Sequence, residues 1–237
     1  LRLEKRGSIA LDMSSLGVSE AVRARRSVRA FLDAPVPLQL LREALELAAR
    51  APSGGNLQPW WLHVVAGSEL EKLRAVMRER VATQGPDPAE YDVYPANLWE
   101  PYRSRRFDIG EQMYAALGIE RADKPTRLRR FAENYQFFGA PVGLFCFVER
   151  RMGAPQWSDL GMYLQTLMLL LKERGIDSCA QEAWSAYHQV VSDFVRSPAE
   201  RMLFCGMAIG YADPNAPVNQ LATPRAALDD FATFHGL

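Results

Sequence analysis

The run from Asp159 to Gly175 constrains this chain most. Met162, Leu164, Leu167, Met168, Leu169, Leu170 and Leu171 crowd together so closely that a helix built from them keeps almost no polar face. Such a helix belongs in the middle of a core or at a subunit interface. Asp159 is the expected N-cap, and Gly175 the expected end, with Ile176 positioned for the hydrophobic contact that accompanies a glycine terminus. Leu160 to Leu171 is too short to cross a bilayer and is interrupted by Gln165, and the first residues hold no uninterrupted apolar stretch. Neither a membrane span nor a signal peptide is expected, and a cytoplasmic location is.

Around that helix the pattern alternates irregularly. Strands are expected at Trp61 to Ala66, Val142 to Val148, Asp177 to Ala180 and Met202 to Ile209, the second of them a continuous apolar run of the fully buried kind. Helices are expected from Ser19 as cap to about Arg25, and after Pro35 and Pro37 through Leu38, Leu41, Leu45, Ala48 and Ala49 up to Pro52. A capping box of Ser68 and Glu71 opens another helix through Leu70, Leu73 and Val76. Further helices are expected over Arg105 to Leu117, Thr126 to Phe138, and the segment with Tyr187, Val190, Val191 and Phe194. This mixture is the α+β class.

A chain of 237 residues with 48% hydrophobic content can bury a sizeable core as one domain, and no linker divides two cores. Residues 18–237 are read as that domain and residues 1–17 as an arm. Between Gln84 and Pro125, Pro86, Pro88, Pro95 and Pro101 stiffen a stretch rich in Tyr91, Tyr94, Trp99 and Tyr102. That segment reads as an insertion, either a lid or a surface flap packed on its own aromatics.

Basic and acidic residues balance at 28 each, so no global field draws the chain to nucleic acid or to an anionic membrane. Cys146, Cys179 and Cys205 are odd in number, far apart and set in apolar runs, which disfavours a disulfide framework or a zinc cluster and suits a reducing compartment. His63, His188 and His235 are scattered, and each reads as structural.

Two short stretches carry chemistry. Arg25-Arg26-Ser27-Val28-Arg29-Ala30-Phe31 places three guanidinium forks and a hydroxyl just after a helix. That suits a small anionic ligand, although taken alone such a stretch is more often a solvated basic helix end. Ser53-Gly54-Gly55-Asn56-Leu57-Gln58-Pro59-Trp60 reads either as an ordinary turn or as a loop that lets main chain approach a ligand while Asn and Gln read its donors and acceptors.

Taken in order, Arg25 to Arg29, Pro52 to Trp60, Gly161 to Gly175 and Asn219 to Arg225 resemble the FMN-dependent nitroreductase family, a resemblance covering nearly everything from Val18 onward. The resemblance implies a central mixed or antiparallel sheet flanked by helices, an intertwined homodimer, and FMN bound at the subunit interface. It assigns Arg25, Arg26, Ser27 and Arg29 to the FMN phosphate and ribityl chain, with Arg225 as a further phosphate ligand, so that the two ends of the chain meet. Pro52, Ser53, Gly54 and Asn56 would line the flavin from the partner subunit. Gln181, Glu182 and Ala183 match the segment whose main-chain N–H faces flavin N5, and Asn134 falls near an amide that contacts the ring edge. The implied activity is hydride transfer from NAD(P)H through FMN to a nitroaromatic or quinone acceptor by alternation at one site, without a protein nucleophile or a metal. Tyr91, Tyr94, Trp99, Tyr102 and Phe107 are candidate walls of the acceptor pocket, since aromatic faces stack on planar substrates. Relatives with other flavin chemistry (dehalogenation, flavin cleavage) and a noncatalytic flavin-binding protein are the alternatives.

Overall fold

The computed structural model describes residues 16–236; most of the expected N-terminal arm lies outside the described residues. The elements run α1 (Val18–Ala24), α2 (Leu38–Ala48), β1 (Trp61–Ala66), α3 (Gly67–Thr83), α4 (Tyr102–Ala116), α5 (Lys124–Ala132), β2 (Val142–Glu149), α6 (Ala154–Glu173), β3 (Asp177–Gln181), α7 (His188–Val195) and β4 (Arg201–Gly210). The four strands form one sheet in the order β1-β2-β4-β3, every pair antiparallel.

A continuous apolar run such as Val142 to Val148 marks a strand covered on both sides, and it is covered here in an antiparallel sheet. On one face Val142, Leu144, Cys146 and Val148 pack with Met207 and Ile209 against Leu41 and Ala44 of α2 and Leu160, Leu167 and Leu171 of α6. On the other, Phe145 and Phe147 join Leu70, Leu73 and Met77 of α3, Val191 of α7, and Phe137 and Trp184 from the 3₁₀ turns Glu133–Gly139 and Glu182–Tyr187. The alternation follows from the two-residue period of a strand. α6 is the central helix of the first layer, as its composition requires. Its end is the expected glycine motif: Gly175 has φ 72°, the Ile176 N–H donates to the Leu171 carbonyl at 2.9 Å, and the Gly175 N–H to Lys172 at 3.0 Å.

Three expected caps are corrected. α6 begins at Ala154, not at Asp159: Gly153 is its extended N-cap, and the Gln156 amide oxygen reaches back to accept the Gly153 N–H at 3.2 Å. Asp159 therefore sits inside the helix, buried, and accepts instead from the Gly54 N–H at 3.2 Å. α1 is capped at Gly17, whose N–H donates to Glu20 at 2.8 Å, and Ser19 lies within the first turn. α3 starts after an extended Ala66, so Ser68 is already helical and makes no cap. The stretch expected as one helix from Thr126 to Phe138 is two pieces: α5, capped by the Asp123 carboxylate accepting from Thr126 at 3.0 Å, and a 3₁₀ turn over Glu133–Gly139.

Two glycines let aromatic rings lie flat on the sheet. A Cβ at Gly206 would stand 2.3 Å from the Trp184 ring, and one at Gly143 would stand 2.4 Å from Phe137. Trp184 immediately follows Gln181 to Ala183, so its seat on Gly206 fixes where that segment leaves the sheet. Cys146, Cys179 and Cys205 are buried and free, as expected of core thiols. Among the described residues no helix is long and apolar enough to cross a membrane, and no cluster of side chains could hold a metal ion.

Candidate active site

The arginine stretch leaves α1 at Arg25 and runs extended along the outer edge of β3. Ser27 forms a parallel bridge with Ser178, and the buried Val28 donates its N–H to the Ser178 carbonyl at 3.1 Å. Further on, Phe31 bridges Ala212 beyond the end of β4, and Leu32 N–H donates to Tyr211 at 2.8 Å. Backbone pairing with the sheet edge, rather than helix continuation, sets the direction of these side chains.

Asn219 fastens the arrangement. Its buried amide oxygen accepts the Arg29 N–H at 2.9 Å, and its NH₂ donates to the carbonyls of Ala30 at 2.7 Å and Asp213 at 3.0 Å. Its own carbonyl accepts from Arg26 Nη1 at 3.2 Å. The C-terminal segment and the arginine stretch are thus joined through one residue. In the sequence Asn219 stands only at the start of the Asn219 to Arg225 motif, with no role of its own. A buried asparagine next to Pro217-Val218 in a turn was the available signal.

Beside this junction opens a broad cleft of about 1410 Å³. Of the residues singled out from sequence, Arg29, Asn134, Gln181, Glu182 and Ala183 line it, with Tyr94 and Phe107 on the wall contributed by the insertion. Gln181 is buried and donates Nε2 to both the carbonyl (2.8 Å) and the side-chain oxygen (3.2 Å) of Asn134, so these two amides form one unit. Tyr135 donates its hydroxyl to the Ala183 carbonyl at 3.3 Å, holding the same segment from below. Glu182 is exposed as a residue, yet its carboxyl sits in a low-dielectric corner and burial pushes its pKa up.

The remaining candidates lie elsewhere on the chain. Arg25 is half-buried and Arg26 exposed, both at the junction and outside the cleft lining. Arg225 is exposed and turns its guanidinium onto the carbonyls of Thr223 and Pro224, both at 2.9 Å. Pro52, Ser53, Gly54 and Asn56 do not line the cleft of their own chain. Their loop is a single 3₁₀ turn with Gly55 at φ 57° and Asn56 at φ 59°, held to α6 by Asp159 and closed by Ser53 Oγ accepting the Gln58 N–H at 3.0 Å. Tyr91 is not a cleft wall. Its hydroxyl donates to the Phe204 carbonyl, and its ring packs edge-on against Trp157 at 5.4 Å, in the layer of α6. Trp99 and Tyr102 pack edge to face on each other at 5.5 Å, exposed and outside the cleft lining.

The charges at this corner are unbalanced. Among the described residues Arg25, Arg26, Arg29, Arg130 and Arg225 form no ion pair. Cys179 lies buried beside Arg29, Arg25 and Arg130, and burial still raises its thiol, as it pushes Cys146 up to about 12. These sulfurs stay protonated and offer no nucleophile. None of the three histidines lines the cleft. The site supplies cations, amides and main-chain groups, which suits gripping a planar anionic molecule better than attacking one.

Known proteins agree with that character. The profile of the Nitroreductase family matches residues 22–211. The chain is 37% identical over 219 residues to a nitrobenzene nitroreductase of Ectopseudomonas oleovorans, covering 92% of this chain and 96% of that one. It is 37% identical over 215 residues to a 4-nitrobenzoate reductase of Pseudomonas putida, covering 91% and 94%. Among solved structures, the FMN and NADPH-dependent nitroreductase NfnB from Sphigopyxis sp. strain HMH superposes with a TM-score of 0.90 at 48% identity, covering 94% of this chain and 100% of that one. NfnB from Mycobacterium smegmatis, solved in complex with NADPH, gives 0.85 at 34% identity, covering 92% and 97%. With its antiparallel sheet between two helical layers, its arginine stretch tied to the C-terminal segment and these likenesses along nearly its whole length, the chain belongs to the nitroreductase family.

Proposed function

We propose that this chain is an FMN-dependent oxidoreductase that takes hydride from NADH or NADPH and passes reducing equivalents to nitroaromatic or quinone acceptors, alternating both at one site. The observation that carries this reading is the set of uncompensated guanidiniums at the Asn219 junction, next to a cleft floored by the Gln181–Asn134 amide unit. The residues fit FMN by the chemistry of their donors. A phosphate brings nearly two negative charges, and Arg25, Arg26 and Arg225, none of them in an ion pair among the described residues, would meet it together with Ser27. When bound, FMN supplies the hydride-accepting and hydride-donating centre, for which the chain itself has no equivalent. Arg29 lines the cleft with Asn134 and would reach from the phosphate and ribityl chain toward the ring, whose edge Asn134 would meet and whose centre the main chain of Gln181 to Ala183 would approach. Tyr94 and Phe107 wall the space above and hold a planar acceptor by stacking. The segment 84–125 acts as a lid over that space and excludes water from the reacting groups.

The working unit in this reading is an intertwined homodimer. The loop Pro52 to Asn56 completes the cleft of a second copy, which explains why it is built for close approach yet lies outside its own chain's cleft. Exposed apolar side chains on α1 (Val18, Val22), α2 (Leu38, Leu47), α6 (Met162) and the C-terminal segment (Phe231) supply the surface that such a dimer buries. The buried thiols suit a reducing, cytoplasmic setting.

Anaerobic mixing tests the reading. The flavin-loaded protein should lose its yellow absorption on adding NADPH or NADH and regain it on adding 4-nitrobenzoate, nitrobenzene or a quinone. Flavin that stays oxidised with both nicotinamides would make this a flavin-binding protein without reductase activity, and a purified protein that takes up no FMN would remove the cofactor assignment.

A further inference from the structure

Arg130, on the last turn of α5, takes no part in the arginine stretch or the C-terminal motif, yet it reaches the same corner. Its Nη2 donates to the Arg29 carbonyl at 2.7 Å across 101 residues of sequence, and its guanidinium lies 5.2 Å from the Phe138 ring. It lines the cleft with Arg29, Asn134 and Gln181. It forms no ion pair among the described residues. The group is half-buried beside another guanidinium, so burial and the repulsion of Arg29 both lower its pKa, against the pull of Glu133. Two neighbouring cations that no carboxylate meets in an ion pair are costly to keep dry unless an anion joins them.

Location decides which part of an anion that is. Arg25, Arg26 and Arg225 lie outside the cleft lining, whereas Arg29, Arg130 and Asn134 share the cleft with the amide unit. Arg130 and Asn134 are four residues apart on consecutive turns, and Asn134 Nδ2 donates to the Phe131 carbonyl at 2.8 Å between them. The pair therefore shares its cleft with the amide unit and the Gln181 to Ala183 segment, and not with Arg25, Arg26 and Arg225. Two-electron reduction of a flavin leaves negative charge on its pyrimidine end, and fixed cations there favour the reduced form.

We propose that Arg130 is a cofactor-positioning residue that holds the Arg29 main chain and sets a second guanidinium against the pyrimidine end of the flavin, raising the preference of the site for reduced over oxidised cofactor. This rests on the FMN reading above. Hydride arrives from the nicotinamide, and Arg130 moves no proton; its charge biases the equilibrium, and its planar fork on the Arg29 carbonyl fixes where that charge sits.

The test uses the flavin-loaded protein with R130M and R130K. R130M should still bind oxidised flavin but hold reduced flavin about tenfold less tightly relative to oxidised, read as a midpoint potential about 30 mV more negative for a two-electron couple. R130K should recover part of that shift, since the charge returns without the planar fork that meets the Arg29 carbonyl. Affinity for riboflavin, which lacks the phosphate, should fall in R130M by the same factor as affinity for FMN. An unchanged midpoint potential would overturn the proposal, as would a loss confined to FMN with riboflavin unaffected, which would move Arg130 to the phosphate. Lower thermal stability with an unshifted potential would reduce it to a structural residue. If R130M does not fold, the potential of R130K decides, because a value equal to the wild type's contradicts a role for the fork. Wild-type protein that takes up no flavin would instead sink the parent reading and is told apart at the first step.

Discussion

Replacing Asn219 by alanine removes one side chain that closes the molecule on itself, and the loss can be worked out group by group. Two donated bonds disappear, to Ala30 at 2.7 Å and to Asp213 at 3.0 Å. The Ala30 carbonyl keeps a second partner, the Asp213 N–H at 3.0 Å, so its share is small. The Arg29 N–H, which donates to Asn219 at 2.9 Å in a part-buried setting, is left without its acceptor. Two ordinary bonds at about 1 kcal/mol each and an orphaned donor at about 2 kcal/mol give a destabilisation of about 3 to 4 kcal/mol. For a chain of this size that corresponds to roughly a 10 °C fall in Tm. Urea unfolding of flavin-free protein, followed by far-ultraviolet circular dichroism, measures the first quantity. Fluorescence titration with FMN measures a second consequence, because the Arg29 main chain loses its side-chain anchor, while Arg26 keeps only the main-chain carbonyl of residue 219, and flavin affinity falls with stability. N219D separates contact from charge: the carboxylate still accepts the Arg29 N–H but turns oxygen toward two carbonyls, so it should be no more stable than N219A. A change under about 1 kcal/mol in N219A with flavin affinity intact would refute the claim that this amide joins the two ends of the chain.

Four further outcomes are expected. Gly206→Ala forces a methyl to 2.3 Å from the Trp184 ring, so the ring and the Gln181 to Ala183 segment shift. Overpacking of this kind costs about 1 to 3 kcal/mol, and indole fluorescence with the bound-flavin spectrum should both change. Burial raises the Glu182 carboxyl, so the folded chain holds that proton more tightly than the unfolded chain. Its contribution is favourable as pH falls through the raised folded value and is lost above it, and E182Q should therefore be more stable than wild type at about pH 8, the gap closing toward about pH 4. Tyr91→Phe removes the hydroxyl that donates to Phe204 and should cost about 1 kcal/mol in unfolding while leaving acceptor KM unchanged, whereas Phe107→Ala should raise acceptor KM and leave stability nearly untouched. D159N weakens the hold on Gly54, and D159A frees the Ser53–Asn56 turn; sedimentation should show weaker self-association in D159A.

What could be read from sequence was what depends on neighbours along the chain. β2 and β4 were legible because burial on both faces of a sheet writes itself as unbroken apolar runs, and α6 because leucine and methionine crowd it; β1 and β3 were legible as short segments bounded by turn residues. The glycine end of α6 was legible for the same local reason. The start of α2 after Pro37 was legible too, but those of α1, α3 and α6 were not, because the residue that caps is the one whose backbone is extended, and Gly17, Ala66 and Gly153 carry no side chain that announces it. The residues that answer them, Glu20 and Gln156, were in plain view at the third helical position. Asp159 was misassigned because a carboxylate near a helix start is ambiguous until its partner is known, and its partner Gly54 lies 105 residues away.

The site divides along the same line. Arg29 stood out by type, and Asn134 and Gln181 to Ala183 through the family resemblance, but the forces that assemble them act at long range: Asn219 reaches Arg29 across 190 residues, Arg130 reaches it across 101, and Gln181 reaches Asn134 across 47. Each of these bonds joins a backbone group or an amide, so no charge pattern or periodicity betrays it. This also explains why the arginine stretch was ambiguous when read alone. A basic segment at the end of a short helix is ordinarily a solvated surface. Here its backbone is pinned to β3 by Ser178 and to the C-terminal segment by Asn219, which holds its guanidiniums together without carboxylates beside them. Fixing cations in place before an anion arrives removes the ordering cost from the binding step, so a ligand that fits the corner meets a site already arranged for it.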